Sequence, residues 1–203
     1  TRVSSSSARV PKTTTVEPVR LVILGRQGSG KGTQCMRLVE ALGPVHISTG
    51  DMLRAAAAEG TDLGLRAKAL MDAGDLVPDD VMIGIVSERL AKPDVVEHGF
   101  LLDGFPRTPA QAAALEEILG GTDSVRAVNI EVPADEATER MLHRGRPDDT
   151  EEAIRRRLDL YESSTAPLLA WFGEHGLLSV VDGLGTEDEV FKRLRSAIEG
   201  APA

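Results

Sequence analysis

The stretch VRLVILGRQGSGKGT, residues 19–33, decides the fold. Residues 19–24 are apolar, rich in branched side chains and too few for a helix, so they predict a buried strand. The chain then breaks into glycines and reaches Lys31, where a helical stretch opens and runs to about Leu42. Gly25, Gly28 and Gly30 let successive backbone N–H groups turn inward, where a side chain would block the approach of a polyphosphate. The helix aims its N-terminal dipole at the same spot, and Lys31 adds a full positive charge. The pattern G-x-x-x-x-G-K between a strand and a helix therefore points to a phosphate-binding loop. Gly32 separates Lys31 from Thr33, which argues against direct magnesium ligation by that hydroxyl.

Outward from this unit, strand-like and helix-like segments alternate. Further strands are expected at residues 45–47, 99–102, 125–132 and 177–181. Helices are expected at 52–59, 63–73, 80–91, 109–119, 136–143 and 151–172, the last bent at Pro167. Thr186-x-x-Glu189 is a capping-box signature that opens a final helix. Such alternation predicts an α/β protein of the P-loop NTPase type, a three-layer α/β/α sandwich around a parallel five-stranded sheet.

Bulk properties restrict the partners. At 203 residues and 41% hydrophobic content the chain can bury one good core and a small inserted lobe. A net charge of −9 argues against nucleic acid or an anionic membrane surface as the main partner, and no apolar run is long enough to span a bilayer. The single cysteine, Cys35, excludes an intrachain disulfide and a cysteine-based zinc site, and reads as a structural thiol. Residues 1–18 are rich in Ser and Thr, carry Arg2, Arg9 and Lys12, and hold one acid, Glu17. They are expected to be a disordered extension to a domain at 19–200; the alternative is a transit peptide, which would move the protein from cytoplasm to an organelle matrix.

Two further clusters carry chemistry. FLLDGFPR, residues 100–107, puts Asp103 at the carboxyl edge of the sheet, where open α/β folds bind ligands, with Arg107 beyond it to grip an anion. The bland reading of Asp103-Gly104 is a turn. Arg140, Arg144, Arg146, Arg155, Arg156 and Arg157 fall within 18 residues, a local anion trap in an acidic chain. Solvated helix surface is the bland reading for any one of them and fits Arg155 or Arg156, which cannot both face inward with Arg157.

GRQGSGKGTQ (25–34), STGDMLR (48–54), GFLLDGFPRT (99–108) and RGRPDDTEEAIRRRL (144–158), in this order and spacing, resemble the adenylate kinase family over about residues 20–198. The resemblance implies reversible transfer of the terminal phosphoryl of Mg·ATP to AMP, giving two ADP. It implies a helical AMP-binding insertion at about 48–77 and a short lid at about 144–150. By resemblance, Lys31 and the backbone of Gly28, Ser29, Gly30, Gly32 and Thr33 hold the phosphates of ATP. Asp103, with Asp51 as a second candidate, orients magnesium through water. Arg54 and Arg107 match positions that hold the AMP phosphate, together with Gly104, while Thr49, Gln111, Leu76 and Val77 match those around its base. Arg144, Arg146 and Arg157 match arginines that close over the transferring group, Arg140 one that lies against the adenine of ATP. Asp148 and Asp149 match acids that pair with those arginines on closure.

Some positions have structural competitors. Thr108-x-x-Gln111 is itself a capping-box pattern, so Gln111 has a backbone role to weigh against base recognition, and Thr49 and Asp51 sit where a helix cap is expected. Longer relatives insert a small β lid, sometimes zinc-bound, where only Gly145 stands here, so no zinc is expected. Gln27 replaces the small or proline residue common in the phosphate loop. The acceptor is an anionic phosphate oxygen, so no general base is required and none of the four histidines is assigned to catalysis. Exclusion of water predicts closure of the helices around 51–73 and the loop at 144–149. The protein is expected to act as a cytoplasmic monomer on ATP, AMP and ADP. A UMP/CMP-type kinase is the alternative. A GTP switch is disfavoured because the only asparagine, Asn129, is not in an N-K-x-D motif, and a catalytically silent nucleotide-binding module because every expected charged position is filled.

Overall fold

The computed structural model describes residues 18–121 and 125–200; the expected N-terminal extension lies outside them except for Pro18. Five strands, β1 (Val19–Leu24), β2 (Val45–Ser48), β3 (Gly99–Asp103), β4 (Arg126–Glu131) and β5 (Leu178–Asp182), form one sheet in the order β2-β3-β1-β4-β5. Every pairing is parallel, with Val22 opposite Leu102 on one side and Ala127 on the other. Parallel strands need crossover helices, which cover both faces. Strand alternation divides β1 between two cores. Val22 and Leu24 join a cluster with Leu102, Leu115 and Phe172, whereas Leu21 and Ile23 join one with Cys35, Leu101 and Leu194.

The helices are α1 (Lys31–Leu42), α2 (Thr49–Ala58), α3 (Asp62–Ala73), α4 (Asp79–Leu90), α5 (Pro93–His98), α6 (Pro109–Leu119), α7 (Ala134–Arg144), α8 (Glu151–Leu160), α9 (Ala166–Glu174) and α10 (Glu187–Glu199). From central β1 the chain first builds β2 and β3 to one side and then β4 and β5 to the other, so the loop after β1 leaves at the point where strand order reverses. That crevice, at the carboxyl ends of the strands, is where open α/β sheets hold ligands.

Three local expectations need correction. Helix α5 was not foreseen: six residues starting on Pro93 carry too little periodicity to register, yet Arg89 clamps Asp94 through two bonds of 3.0 and 2.7 Å at its start. The cap of α2 is Ser48, whose hydroxyl accepts from the Asp51 N–H at 3.4 Å, rather than Thr49 or Asp51. The expected single helix at 151–172 is interrupted before Pro167, α8 passing through a π-turn (Tyr161–Thr165) into α9. Pro167 has no N–H for the Ser163 carbonyl four residues back, and a wide turn relieves that clash. The capping box at the start of α10 is complete, the Thr186 hydroxyl accepting from the Glu189 N–H and the Glu189 carboxylate from the Thr186 N–H at 2.8 Å.

Candidate active site

The loop between β1 and α1 depends on glycine at two places above all. Gly28 has φ +84°, and a Cβ there would lie 2.3 Å from the Ala137 carbonyl of α7, so only glycine lets loop and helix approach. Gly30, at φ +88°, turns the chain into α1 without a side-chain cap, which leaves the first N–H groups of that helix facing the crevice. Lys31 Nζ donates to the carbonyls of Gly25 at 2.6 Å and Arg26 at 2.7 Å, which hold it over the loop. Burial pulls the Lys31 pKa down to about 8; Asp103 opposes this and Arg107 adds to it. Arg26 itself is turned away, donating to the Val132 carbonyl at 3.1 Å and lying 4.9 Å from the centroid of the Tyr161 ring.

The opposite wall comes from the end of β2 and from α2. Thr49, 2% exposed, donates its hydroxyl to the Asp103 carbonyl at 3.4 Å. Arg54 donates to Asp51 at 2.5 Å; burial raises the Asp51 pKa, but the bond to Arg54 and its charge outweigh it and leave the carboxyl below its ordinary value. Leu76 and Val77, after α3, supply the apolar part of this wall.

Asp103 closes β3 at the floor. Burial pushes its carboxyl pKa up, but His46, 3.7 Å away, and the charges of Lys31 and Arg107 overcome this and hold it below the usual range. Beyond it, Gly104 at φ +87° passes so close to Thr49 that a Cβ would sit 2.7 Å from its hydroxyl. Arg107 Nε donates to the Gly104 carbonyl at 2.9 Å. Burial lowers the Arg107 pKa; Asp103 opposes that, while Arg157 and Arg54 repel it further. Buried guanidinium groups that repel one another gain most from an anion placed between them.

The remaining side is built from the end of α7 and the start of α8. Arg140 donates to Glu136 at 2.7 Å and reaches the Gly183 carbonyl at 3.3 Å. Asp149, whose side chain is fully buried, receives Arg144 at 2.9 and 2.8 Å, Arg157 at 2.9 Å and the Arg146 N–H at 3.3 Å. Burial raises the Asp149 pKa, but its bond to Arg144 and that charge outweigh it. Arg157 is 7% exposed and also donates to Asp148 and, at 2.8 Å, to the Met71 carbonyl. Arg155 and Arg156 are exposed, the latter paired with Asp75, as expected of a solvated face.

These elements enclose one cavity of about 910 Å³. The expected binding and catalytic residues line it, from Gly28, Ser29, Gly30, Gly32 and Thr33 through Arg54 and Gln111 to Arg146 and Arg157, as does Asp148, whereas Asp149, bonded to Arg144 and Arg157, does not. Gln111 is not half of a capping box. Thr108 caps α6, accepting from the Gln111 N–H at 3.2 Å, but the Gln111 amide oxygen takes the Arg107 N–H at 2.8 Å instead of that of Thr108. Sequence reading passed over Gly183 and Gly185 beyond β5, and Tyr161 and Thr165 of the π-turn, which also line the cavity. The loop after β5 was recoverable, since it too lies at the carboxyl edge of the sheet; the π-turn residues carry no chemical signature. Asp103 offers a hard oxygen donor beside Lys31 and fits magnesium held through water. The nearby Cys35 and His46 group with it, but burial pushes the Cys35 thiol far above its ordinary pKa, the wrong state for a thiolate ligand.

The family model described as adenylate kinase matches residues 23–177. An adenylate kinase of Stenotrophomonas maltophilia (strain R551-3) is 47% identical over 188 residues, covering 90% of this chain and 100% of that protein. One from Xanthomonas euvesicatoria pv. vesicatoria (strain 85-10) is 47% identical over 186 residues, and one from Xylella fastidiosa (strain M12) 48% identical over 186 residues, each covering 89% of this chain and 99% of the relative.

Proposed function

The chain belongs to the adenylate kinase family and catalyses phosphoryl transfer between ATP and AMP to give two ADP, and from that premise we propose how its cleft divides the work. The pyrimidine-acceptor alternative finds no support among the relatives, which are adenylate kinases. The observation that carries the reading is the convergence of Lys31 and six arginines on one cavity in a chain of net charge −9.

ATP lies with its phosphates on the backbone N–H groups of residues 28–33 and on Lys31, its adenine against Arg140. AMP enters from the α2 and α3 side, in an insertion spanning about 48–77, its phosphate on Arg54 and Arg107. Asp103 would hold magnesium through water, and the ion would supply charge neutralisation to the phosphates. Asp51, committed to Arg54, is the weaker second candidate for that role. Arg144, Arg146 and Arg157, on the lid at about 144–150 and the helix after it, meet the equatorial oxygens of the phosphoryl group in transit. Asp148 and Asp149 hold two of these guanidinium groups in position before the nucleotides do. The attacking oxygen is already anionic, so the residues position, neutralise and exclude water, and no side chain need accept a proton. The enzyme works as a cytoplasmic monomer without zinc; among the described residues no helix is long and apolar enough to cross a membrane.

The test is steady-state formation of ADP from Mg·ATP with AMP, UMP and CMP as acceptors. Turnover restricted to AMP is expected. Equal turnover with UMP would overturn the assignment of the acceptor wall.

A further inference from the structure

We propose that Asp79 is a positioning residue that locks the amide of Gln111 in one orientation and thereby sets the preference for adenine over 6-oxopurines at the acceptor site. The inference rests on the reading that Gln111 meets the base of AMP. Gln111 is 2% exposed and lines the cavity. Its amide oxygen accepts from the Arg107 backbone N–H at 2.8 Å, and its amide nitrogen donates to Asp79 Oδ1 at 2.7 Å. Asp79 stands at the first turn of α4, 32 residues away in sequence, and its other oxygen accepts from the Thr108 hydroxyl at 2.9 Å.

The two partners are chemically one-way. A backbone N–H can only donate and a carboxylate can only accept, so exchanging the amide's oxygen and nitrogen would set donor against donor and acceptor against acceptor. One lone pair on the oxygen and one hydrogen on the nitrogen remain for the cavity. Adenine presents an acceptor at N1 and a donor at its 6-amino group, which match that pair. Hypoxanthine and guanine present a donor at N1 and an acceptor at O6, which match only the reversed amide. A site built to hydrogen-bond one edge rejects the other strongly, because its buried polar groups are left opposed. Asp79 does not line the cavity, so its effect passes through Gln111.

The experiment compares kcat/KM for AMP and for IMP, with Mg·ATP, in wild type and in D79A, D79N and Q111A. Wild type should prefer AMP by at least about 100-fold, D79A should raise KM for AMP and reduce the AMP/IMP ratio by about 10-fold each, and KM for ATP should stay within about 2-fold. D79N, whose side-chain oxygen still accepts from Gln111, should restore most of the ratio; a general packing role for Asp79 would not give this selective pattern. If D79A does not fold, D79S supplies the same readout, since its hydroxyl can serve the helix end without reaching Gln111. An unchanged AMP/IMP ratio in D79A beside a lowered one in Q111A overturns the role of Asp79 and leaves the base-recognition reading intact. An unchanged ratio in Q111A overturns that reading itself.

Discussion

Raising the pH from 7 to 9 should weaken capture of Mg·ATP through Lys31. The folded pKa of Lys31 is about 8, depressed from 10.5 mainly by burial. The charged fraction in free enzyme therefore drops from roughly nine-tenths to roughly one-tenth across that window, and kcat/KM for Mg·ATP should fall about 10-fold. Nucleotide phosphates lose their last proton near pH 6, so they do not titrate within it. Once the polyphosphate is bound its negative charge restores the ammonium, so kcat itself should change by less than about 2-fold. The variant K31R is the control, because a guanidinium keeps its charge throughout and its residual activity should show no such limb. Stability runs the other way. Below pH 8 the lysine is charged in folded and unfolded chains alike; between 8 and 10.5 the unfolded chain keeps the proton that the folded one has released. Unfolding free energy, taken as the difference from K31M, should therefore rise by up to about 3 kcal/mol over that interval. The subtraction is needed because Cys35, with its thiol pKa raised by burial, pulls in the opposite sense above pH 9.0. A flat kcat/KM profile from pH 7 to 9.5, or an identical fall in K31R, would refute the argument.

Further outcomes follow from other contacts. R107A should lose at least about 100-fold in turnover, whereas R155A, on the exposed face of α8, should stay within about 2-fold; initial rates decide. Alanine at Gly28 must both adopt φ +84° and displace the Ala137 carbonyl, and should cost upwards of about 3 kcal/mol, measured by thermal unfolding. D149A removes the buried carboxylate between Arg144 and Arg157, and chemical denaturation should register about 3 kcal/mol of lost stability.

What could be read from the sequence was whatever is local. The phosphate loop declares itself because strand, glycines and lysine are contiguous, and the five strands because branched apolar runs have few other uses. The position of Asp103 followed from the length of its strand. What resisted reading depends on partners distant in the chain or on very short elements. Nothing near Gln111 announces Asp79, and α5 has barely more than one turn of pattern. At the start of α2, Ser48, Thr49 and Asp51 can all cap, and only the hydroxyl's bond to the Asp51 N–H singles out Ser48. Pro167 flags a disturbance in the long helix, but no residue pattern announces the widened turn before it.

That widened turn also sets angular phase. Ala153, Arg157, Tyr161 and Thr165 recur at intervals of four and are all buried, although on an ordinary helix such a series would wind around the axis by about 40° at each step. Slower winding through Tyr161–Thr165 offsets the drift, so Arg157, Tyr161 and Thr165 all look into the same cleft while Leu168 and Phe172 stay seated under the sheet. Deleting one serine there would restore ordinary winding, and four residues at about 100° each turn nearly as far as five at the slower pace, so Arg157 and α9 would keep their relative aim while the helix shortened by one residue's rise.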